Sequence, residues 1–296
     1  MIEIETSDGW TLKADRLDPP DGRDPIGVLW LGHAMMVNRR TMDRPKGQGL
    51  ASLLAGHGFI VYSVDLRGHG DSGPRAHQGG KWSYDDFVLR DIPDMTRWVH
   101  EQHPDLPLGI VGHSLVAHCG IAALGQFPDL PVQAFVDLAG NVWLRRWEPS
   151  LGWWLIKRIY LLVFAGLTRM RGYFPARALK VGNEDEAREY VLQFAGFARR
   201  GWRSCEGHDY LGGMRRISVP VLGVTASKDR LFCRPESARR FLAELAQARV
   251  ESWVVGNGEI VDFAPGHMDL VTDPRSRPLW HKIAEWLEQV LVKGTD

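Results

Sequence analysis

The stretch Leu108-Gly109-Ile110-Val111-Gly112-His113-Ser114-Leu115-Val116-Ala117 constrains this chain more than any other. An apolar run suited to a buried strand meets a Gly-His-Ser turn, and small and apolar residues suited to a helix follow. A strand, a sharp turn and a helix in that order push the Ser114 hydroxyl out at the carboxyl end of a parallel sheet. There the free N–H groups of the helix amino terminus can stabilise negative charge. The Gly-x-Ser-x-Gly pattern is incomplete: Gly112 is present, and Val116 stands where the second glycine would be. Two residues past the serine the helix should pass close to a neighbouring strand. A branched side chain there either displaces the helix or is absorbed by small neighbours such as Ala117 and Gly120. Partial accommodation, with slowed chemistry at Ser114, is the expectation.

The rest of the chain repeats the strand-then-helix rhythm. Ile2-Glu3-Ile4-Glu5 and Trp10-Thr11-Leu12-Lys13-Ala14 alternate in polarity around Asp8-Gly9, the pattern of a hairpin with a tight turn. Continuous apolar runs, suited to strands buried on both faces, recur at 26–31, 59–64, 108–111, 132–138, 219–225 and 250–255. Helix-period segments at 48–57, 84–100, 115–126, 235–248 and 278–291 separate most of them. Such alternation predicts an α/β fold: a mostly parallel sheet with helices on both faces.

The rhythm stops between about 141 and 212, a segment holding Trp143, Trp147, Trp153, Trp154 and Trp202, five of the chain's 12 tryptophans. It reads as an inserted, mainly helical cap, with 1–140 and 213–296 forming the core. Trp143, Trp153 and Trp154 are candidates to line an acyl pocket; the alternative is that the aromatics only fill the cap's own interior. The apolar run 153–164 is too short for a membrane span and carries Lys157 and Arg158 at its centre. The segment holds 12 Lys+Arg against seven Asp+Glu. That excess suits a weak contact with a membrane surface or an anionic amphiphile, or simply a solvated helix face.

Composition narrows the function classes. A chain of 296 residues with 44% hydrophobic content can bury a large core. Its 36 Lys+Arg balance 36 Asp+Glu, so no global field would attract nucleic acid. Cys119, Cys205 and Cys233 are odd in number and in no metal-ligand spacing, which predicts reduced thiols, no metal site and a reducing compartment. The first residues show no basic-then-apolar leader, so a cytoplasmic protein is expected. Nothing in the sequence reports the oligomeric state.

A serine hydroxyl attacks a carbonyl at neutral pH only with a base in hydrogen-bond reach and a third group that orients the base. Asp229 lies just beyond the run 219–225, where sites of open parallel sheets form, and is the candidate acid. A surface turn aspartate paired with Lys228 or Arg230 is its alternative reading, and Asp262 is the rival acid. His267 follows the last strand and is the candidate base; only His281, inside a helical pattern, also lies downstream of Asp229. The oxyanion of a tetrahedral intermediate needs two N–H donors. Leu115, after the serine, and Met35, in Gly32-His33-Ala34-Met35-Met36, are the candidates. His33 is read as a structural residue of that loop.

With these residues stand Asp65-Leu66-Arg67-Gly68-His69-Gly70-Asp71-Ser72 and the path from Phe87 and Asp91 through His103-Pro104-Asp105-Leu106-Pro107 to Gly112-His113-Ser114. On them the chain, along nearly all its length, resembles serine hydrolases of the α/β-hydrolase superfamily. The likeness is to the monoglyceride lipase, lysophospholipase and S33 peptidase-like branch. The resemblance implies that Asp65 and Arg67 organise their loop, and that Ser114, Asp229 and His267 are nucleophile, acid and base. It also implies a cofactor-free hydrolase of small, lipophilic carboxylic esters working through an acyl-enzyme. His33-Ala34 replaces the family's His-Gly pair, Val116 replaces its elbow glycine, and the cap is too divergent to transfer a substrate. Two other classes stay open: an acyltransferase with the same three residues, and a ligand-binding protein whose elbow Val116 has impaired.

Overall fold

In a computed structural model describing residues 1–256 and 258–294, the expected hairpin opens the chain: β1 (Ile2–Glu5) pairs antiparallel with β2 (Thr11–Leu17). Next come β3 (Gly27–Gly32), α1 (Leu50–Gly56), β4 (Phe59–Asp65), α2 (Tyr84–Asp86), α3 (Ile92–Gln102), β5 (Leu108–His113), α4 (Leu115–Gln126) and β6 (Ala134–Leu138). The segment after β6 contributes α5 (Leu151–Arg171), a ribbon of β7 (Tyr173–Phe174) and β8 (Glu186–Ala187), α6 (Arg188–Arg200) and α7 (Tyr210–Met214). The chain then returns to the sheet with β9 (Val221–Ala226), α8 (Pro235–Leu242), β10 (Val250–Val255), α9 (Asp269–Thr272) and α10 (Arg277–Leu291).

The main sheet has eight strands in the order β1-β2-β4-β3-β5-β6-β9-β10, antiparallel at the β1–β2 and β2–β4 pairs and parallel elsewhere. Along β3, Val28 and Trp30 enter one core layer while Leu29 and Leu31 enter the other. Each face of the strand meets apolar packing, which is why these strands read as unbroken apolar runs. The order reverses between β3 and β5, so the loops after their carboxyl ends flank the crevice in which ligands of such sheets bind.

Two expectations change. The helix expected at 84–100 contains a π-helical turn, Phe87–Asp91, before α3 begins. Pro93 has no N–H to give back to the preceding turn, so the ladder must widen or break there. The apolar run read as too short for a bilayer belongs to α5, whose 21 residues are long and apolar enough to cross a membrane by length and composition. In this structure α5 lies along the protein: Leu161, Ala165 and Thr168 are buried, and the Lys157 ammonium meets Glu148 at 2.6 Å in the interior. Ile159, Leu162, Val163 and Met170 stay exposed on the outer side.

Candidate functional site

Ser114 occupies the turn between β5 and α4 with φ 51° and ψ −96°, a backbone region that ordinary residues avoid at about 1–3 kcal/mol. The turn is held by its neighbours: the Ser114 N–H donates to Leu138 at 2.8 Å, and the Val116 N–H reaches the His33 carbonyl at 3.4 Å. Close approach of strand and helix depends on missing side chains. A Cβ on Gly112 would stand 2.7 Å from the Ala117 nitrogen. A Cβ on Gly120 would meet Phe135, not Val116. Val116 lies over Gly32, where an added Cβ would come within 2.4 and 2.5 Å of the two valine methyls. Gly32 and Gly112 are register partners on β3 and β5, so two bare backbone positions lie side by side beneath the first turn of α4. The space usually made by a helix glycine is here made by a strand glycine.

Asp229 and His267 meet as expected. The His267 Nδ1 and Asp229 Oδ2 are 2.5 Å apart, and Asp229 also accepts the N–H groups of Phe232 and Cys233 at 2.9 and 3.0 Å. Burial pushes the Asp229 carboxyl up, but the His267 hydrogen bond and charge outweigh it and hold the group below its usual range. Asp262 is exposed and makes no bond to His267 among the described residues. No Ser114–His267 hydrogen bond closes either, a common state of such sites without substrate. His113, unremarked in the sequence, is fully buried and donates from Nε2 to the His267 carbonyl at 3.1 Å. Burial depresses its pKa to about 3, so it acts as a neutral strut under the loop that carries His267.

The second donor loop is built by contacts from far along the chain. His33 accepts the Leu66 N–H on Nε2 at 3.1 Å and donates from Nδ1 to the Ala34 carbonyl at 2.7 Å, which joins the ends of β3 and β4. Asp65 and Arg67 organise the turn after β4: Asp65 accepts the Arg39 N–H at 2.7 Å, and Arg67 bridges Asp91 and Asp8. The Met36 N–H is taken by Glu186 Oε1 at 2.5 Å, and the Asn183 and Glu184 N–H groups clasp the Met36 carbonyl. Among the described residues the Met35 N–H has no protein acceptor, which leaves it open as a donor. The acidic run Glu184-Asp185-Glu186 would pass for solvated charge, yet its residues are buried against Asn38, His77 and His69.

Burial opposes a charge on His69, but Glu186 at 3.1 Å reverses this and lifts its pKa to about 9. A group whose pKa is raised on folding stabilises fully below its unfolded value, near 6.5, and loses that contribution as pH rises through about 9. We therefore expect the urea midpoint to fall between about pH 6.5 and 9, by the equivalent of at most about 3 kcal/mol. In Glu186→Gln that slope should flatten. Parallel curves for parent and variant would show that the pair carries no net charge coupling.

Met35, Ser114, His118, Asn141, Trp143 and Phe194 line a narrow recess with a free volume of about 20 Å³, room for about one water. Trp143 stands at this recess, beside Ser114. Trp153 and Trp154 are not at this recess. Arg234, at the head of α8, stacks on Trp153 at 4.4 Å, and Arg158 of α5 stacks on Trp154 at 5.8 Å. Clefts of about 710 and 780 Å³ lie elsewhere, lined largely by charged residues, and neither includes Ser114. His118 shares the recess with Ser114 but is a poor base, because burial depresses its pKa to about 3 and no carboxylate orients it.

A family model described as serine aminopeptidase, S33, matches residues 35–257. Human lipase member N is 25% identical over 150 residues, covering 46% of this chain and 37% of that protein. The lysosomal acid lipase/cholesteryl ester hydrolase of Macaca fascicularis is 28% identical over 153 residues, with the same shares covered. The matched stretch therefore spans about a third of the length of these curated relatives. Among solved structures, an esterase of Pyrococcus furiosus superposes with a TM-score of 0.64 at 19% identity, covering 98% of this chain and 90% of that one. The monoacylglycerol lipase of Paleococcus ferrophilus gives 0.60 at 19% identity, covering 96% and 99%. At such identities the likeness establishes the fold.

Proposed function

Because the chain belongs to the serine aminopeptidase S33 family, within the α/β-hydrolases, we propose that it hydrolyses carboxylic esters, lipophilic ones by preference, through an acyl-enzyme on Ser114. One observation carries this reading: a serine held in a strained turn after β5, in a fold whose next strand but one is followed by an aspartate bonded to a histidine. In this mechanism Ser114 Oγ attacks the ester carbonyl while His267 Nε2 takes its proton. Asp229 fixes the imidazole with its proton on Nδ1 and stabilises the imidazolium. The Leu115 and Met35 N–H groups receive the oxyanion, His267 returns the proton to the leaving alcohol, and water repeats the sequence to release the acid.

The choice of ester over peptide rests on the recess. An aminopeptidase must hold its substrate's ammonium group with a carboxylate, and no acidic residue lines this recess among the described residues. Aromatic lining instead supports an apolar acyl group, and Trp143 is assigned to it. A free volume near that of one water requires α5 and α6 side chains to move before a longer chain enters. We assign 141–212 the role of a cap over a core formed by 1–140 and 213–296. The exposed apolar side of α5 supports weak contact of that cap with a lipid surface. Three unpaired cysteines support a reducing, cytoplasmic setting. An acyltransferase would use the same residues with an alcohol or thiol in place of water.

The test is a fluorophosphonate probe followed by mapping of the modified residue, then an ester series of increasing acyl length. Labelling at Ser114 alone, lost in Ser114→Ala, is the expected result. A folded protein that takes no probe and cleaves no ester would leave ligand binding as its role.

A further inference from the structure

Apart from Ser114, the lining of the recess is apolar and aromatic except for two buried polar side chains that the mechanism does not use, His118 and Asn141. His118 follows Ser114 by one turn of α4, and its ring meets those of Tyr84 and Phe194 at 5.6 and 5.8 Å, near-parallel to both. Its proton can be located from its neighbours. Trp202 donates its indole N–H to the Tyr84 oxygen at 3.0 Å, and the Tyr84 O–H lies 3.0 Å from His118 Nδ1. The Tyr84 oxygen accepts the Trp202 N–H, and Nδ1 is the acceptor that the buried Tyr84 O–H meets at hydrogen-bond distance, so the O–H donates there and Nδ1 accepts. Burial keeps the ring neutral, so its single proton sits on Nε2. That edge of the ring is the one left to the recess.

Asn141 stands at the other wall, 5% exposed, two residues past Ala139, whose φ is 55°. Neither its Oδ1 nor its Nδ2 has a partner among the described residues. An unpaired buried amide costs about 1–3 kcal/mol, and native structures hold few of them. Both residues line this one recess, whose free volume is near that of one water. A hydroxyl is the small neutral group that accepts from an N–H while donating to a carbonyl oxygen, so it would satisfy His118 Nε2 and Asn141 Oδ1 together.

We propose that His118 and Asn141 recognise a hydroxyl on the acyl part of the substrate, so that hydroxyacyl esters are preferred over counterparts carrying a methyl in its place. This rests on the ester-hydrolase reading of the same site and deepens it. Trp202 and Tyr84 act through His118, as positioning residues that set its tautomer.

The experiment compares methyl 2-hydroxypropanoate with methyl 2-methylpropanoate, and methyl 3-hydroxybutanoate with methyl 3-methylbutanoate, by pH-stat. The parent should favour the hydroxyl member of at least one pair by about tenfold or more in kcat/KM, since a site with polar groups left unpaired rejects the analogue that cannot bond them. Asn141→Leu and His118→Phe should each reduce that ratio at least about fivefold. Tyr84→Phe, which keeps a ring beside His118 and frees its tautomer, should reduce it too. A parent with no preference, or variants that lose both members in parallel, overturns the proposal. A second measurement needs no turnover. In Ser114→Ala, calorimetry should find 3-hydroxybutanoate bound more tightly than 3-methylbutanoate, and Asn141→Leu in that background should erase the difference. If the parent cleaves no ester the proposed function fails, and this binding comparison still decides whether the hydroxyl is recognised; equal binding of the two acids overturns it.

Discussion

Ser114→Ala and His267→Ala are each expected to lower ester turnover by at least about a thousandfold, with the melting temperature little changed. The two act as one unit, so the double variant should be scarcely worse than either alone. Asp229→Asn should also be severe, because Asp229 holds His267 through the 2.5 Å contact and is itself held by two N–H donors. An amide there presents either a donor to a donor or a weaker acceptor, and the imidazole loses the tautomer the reaction needs. Asp262→Asn should stay within about twofold of the parent by the same logic, its carboxylate being exposed and away from the imidazole. Steady-state rates on a short-chain ester, with circular dichroism as the folding control, decide the matter. Full activity in Ser114→Ala would remove the serine from the chemistry, and a greater loss at Asp262 than at Asp229 would move the acid.

Val116→Gly should cost about 3 kcal/mol of stability and should not speed acylation. The valine is fully buried over Gly32, so its removal exposes a void, and the helix gains a glycine. Gly32→Ala is the complementary insult: the new methyl would meet three valine carbons at 2.4, 2.5 and 2.7 Å, and overpacking of this kind costs roughly 1–3 kcal/mol. Combining the two should restore at least about 1 kcal/mol relative to the sum of the single effects, as expected for residues that share one space. Urea unfolding of the four proteins measures the coupling. A glycine variant that acylates faster than the parent would show that the valine does crowd the elbow; additive stabilities would show that Gly32 and Val116 do not share the space.

Features carried by adjacent residues were legible before the structure. Ser114 at the tip of a strand–turn–helix, the hairpin at the start of the chain and α4 with its bounds at 115–126 depend on near neighbours in sequence, and the periodicity of the chain reports those directly. That the loops carrying Ser114, Asp229 and His267 share one end of the sheet was legible too, while their roles and order come from the resemblance to α/β-hydrolases. Features carried by distant residues were not. The consequence of Val116 hangs on Gly32, one strand over; the acidic run at 184–186 is buried because His69, Asn38 and Met36 wait for it. Composition makes Trp153 and Trp154 candidates for the pocket or for the cap's own interior, but which side of α5 faces inward is set by the Lys157–Glu148 pair and by Leu161, Ala165 and Thr168.

By itself the sequence determined the α/β class and the strand that leads into Ser114, because local periodicity and the handedness of strand crossovers leave few other arrangements. Tertiary structure decided whether the elbow closes, that Glu186 takes the Met36 N–H of the 33–36 loop, which tryptophan reaches the recess and where the protons on His33, His113 and His118 sit. Those depend on burial and on single hydrogen bonds between residues far apart in the chain, and neither is encoded in any short window of sequence.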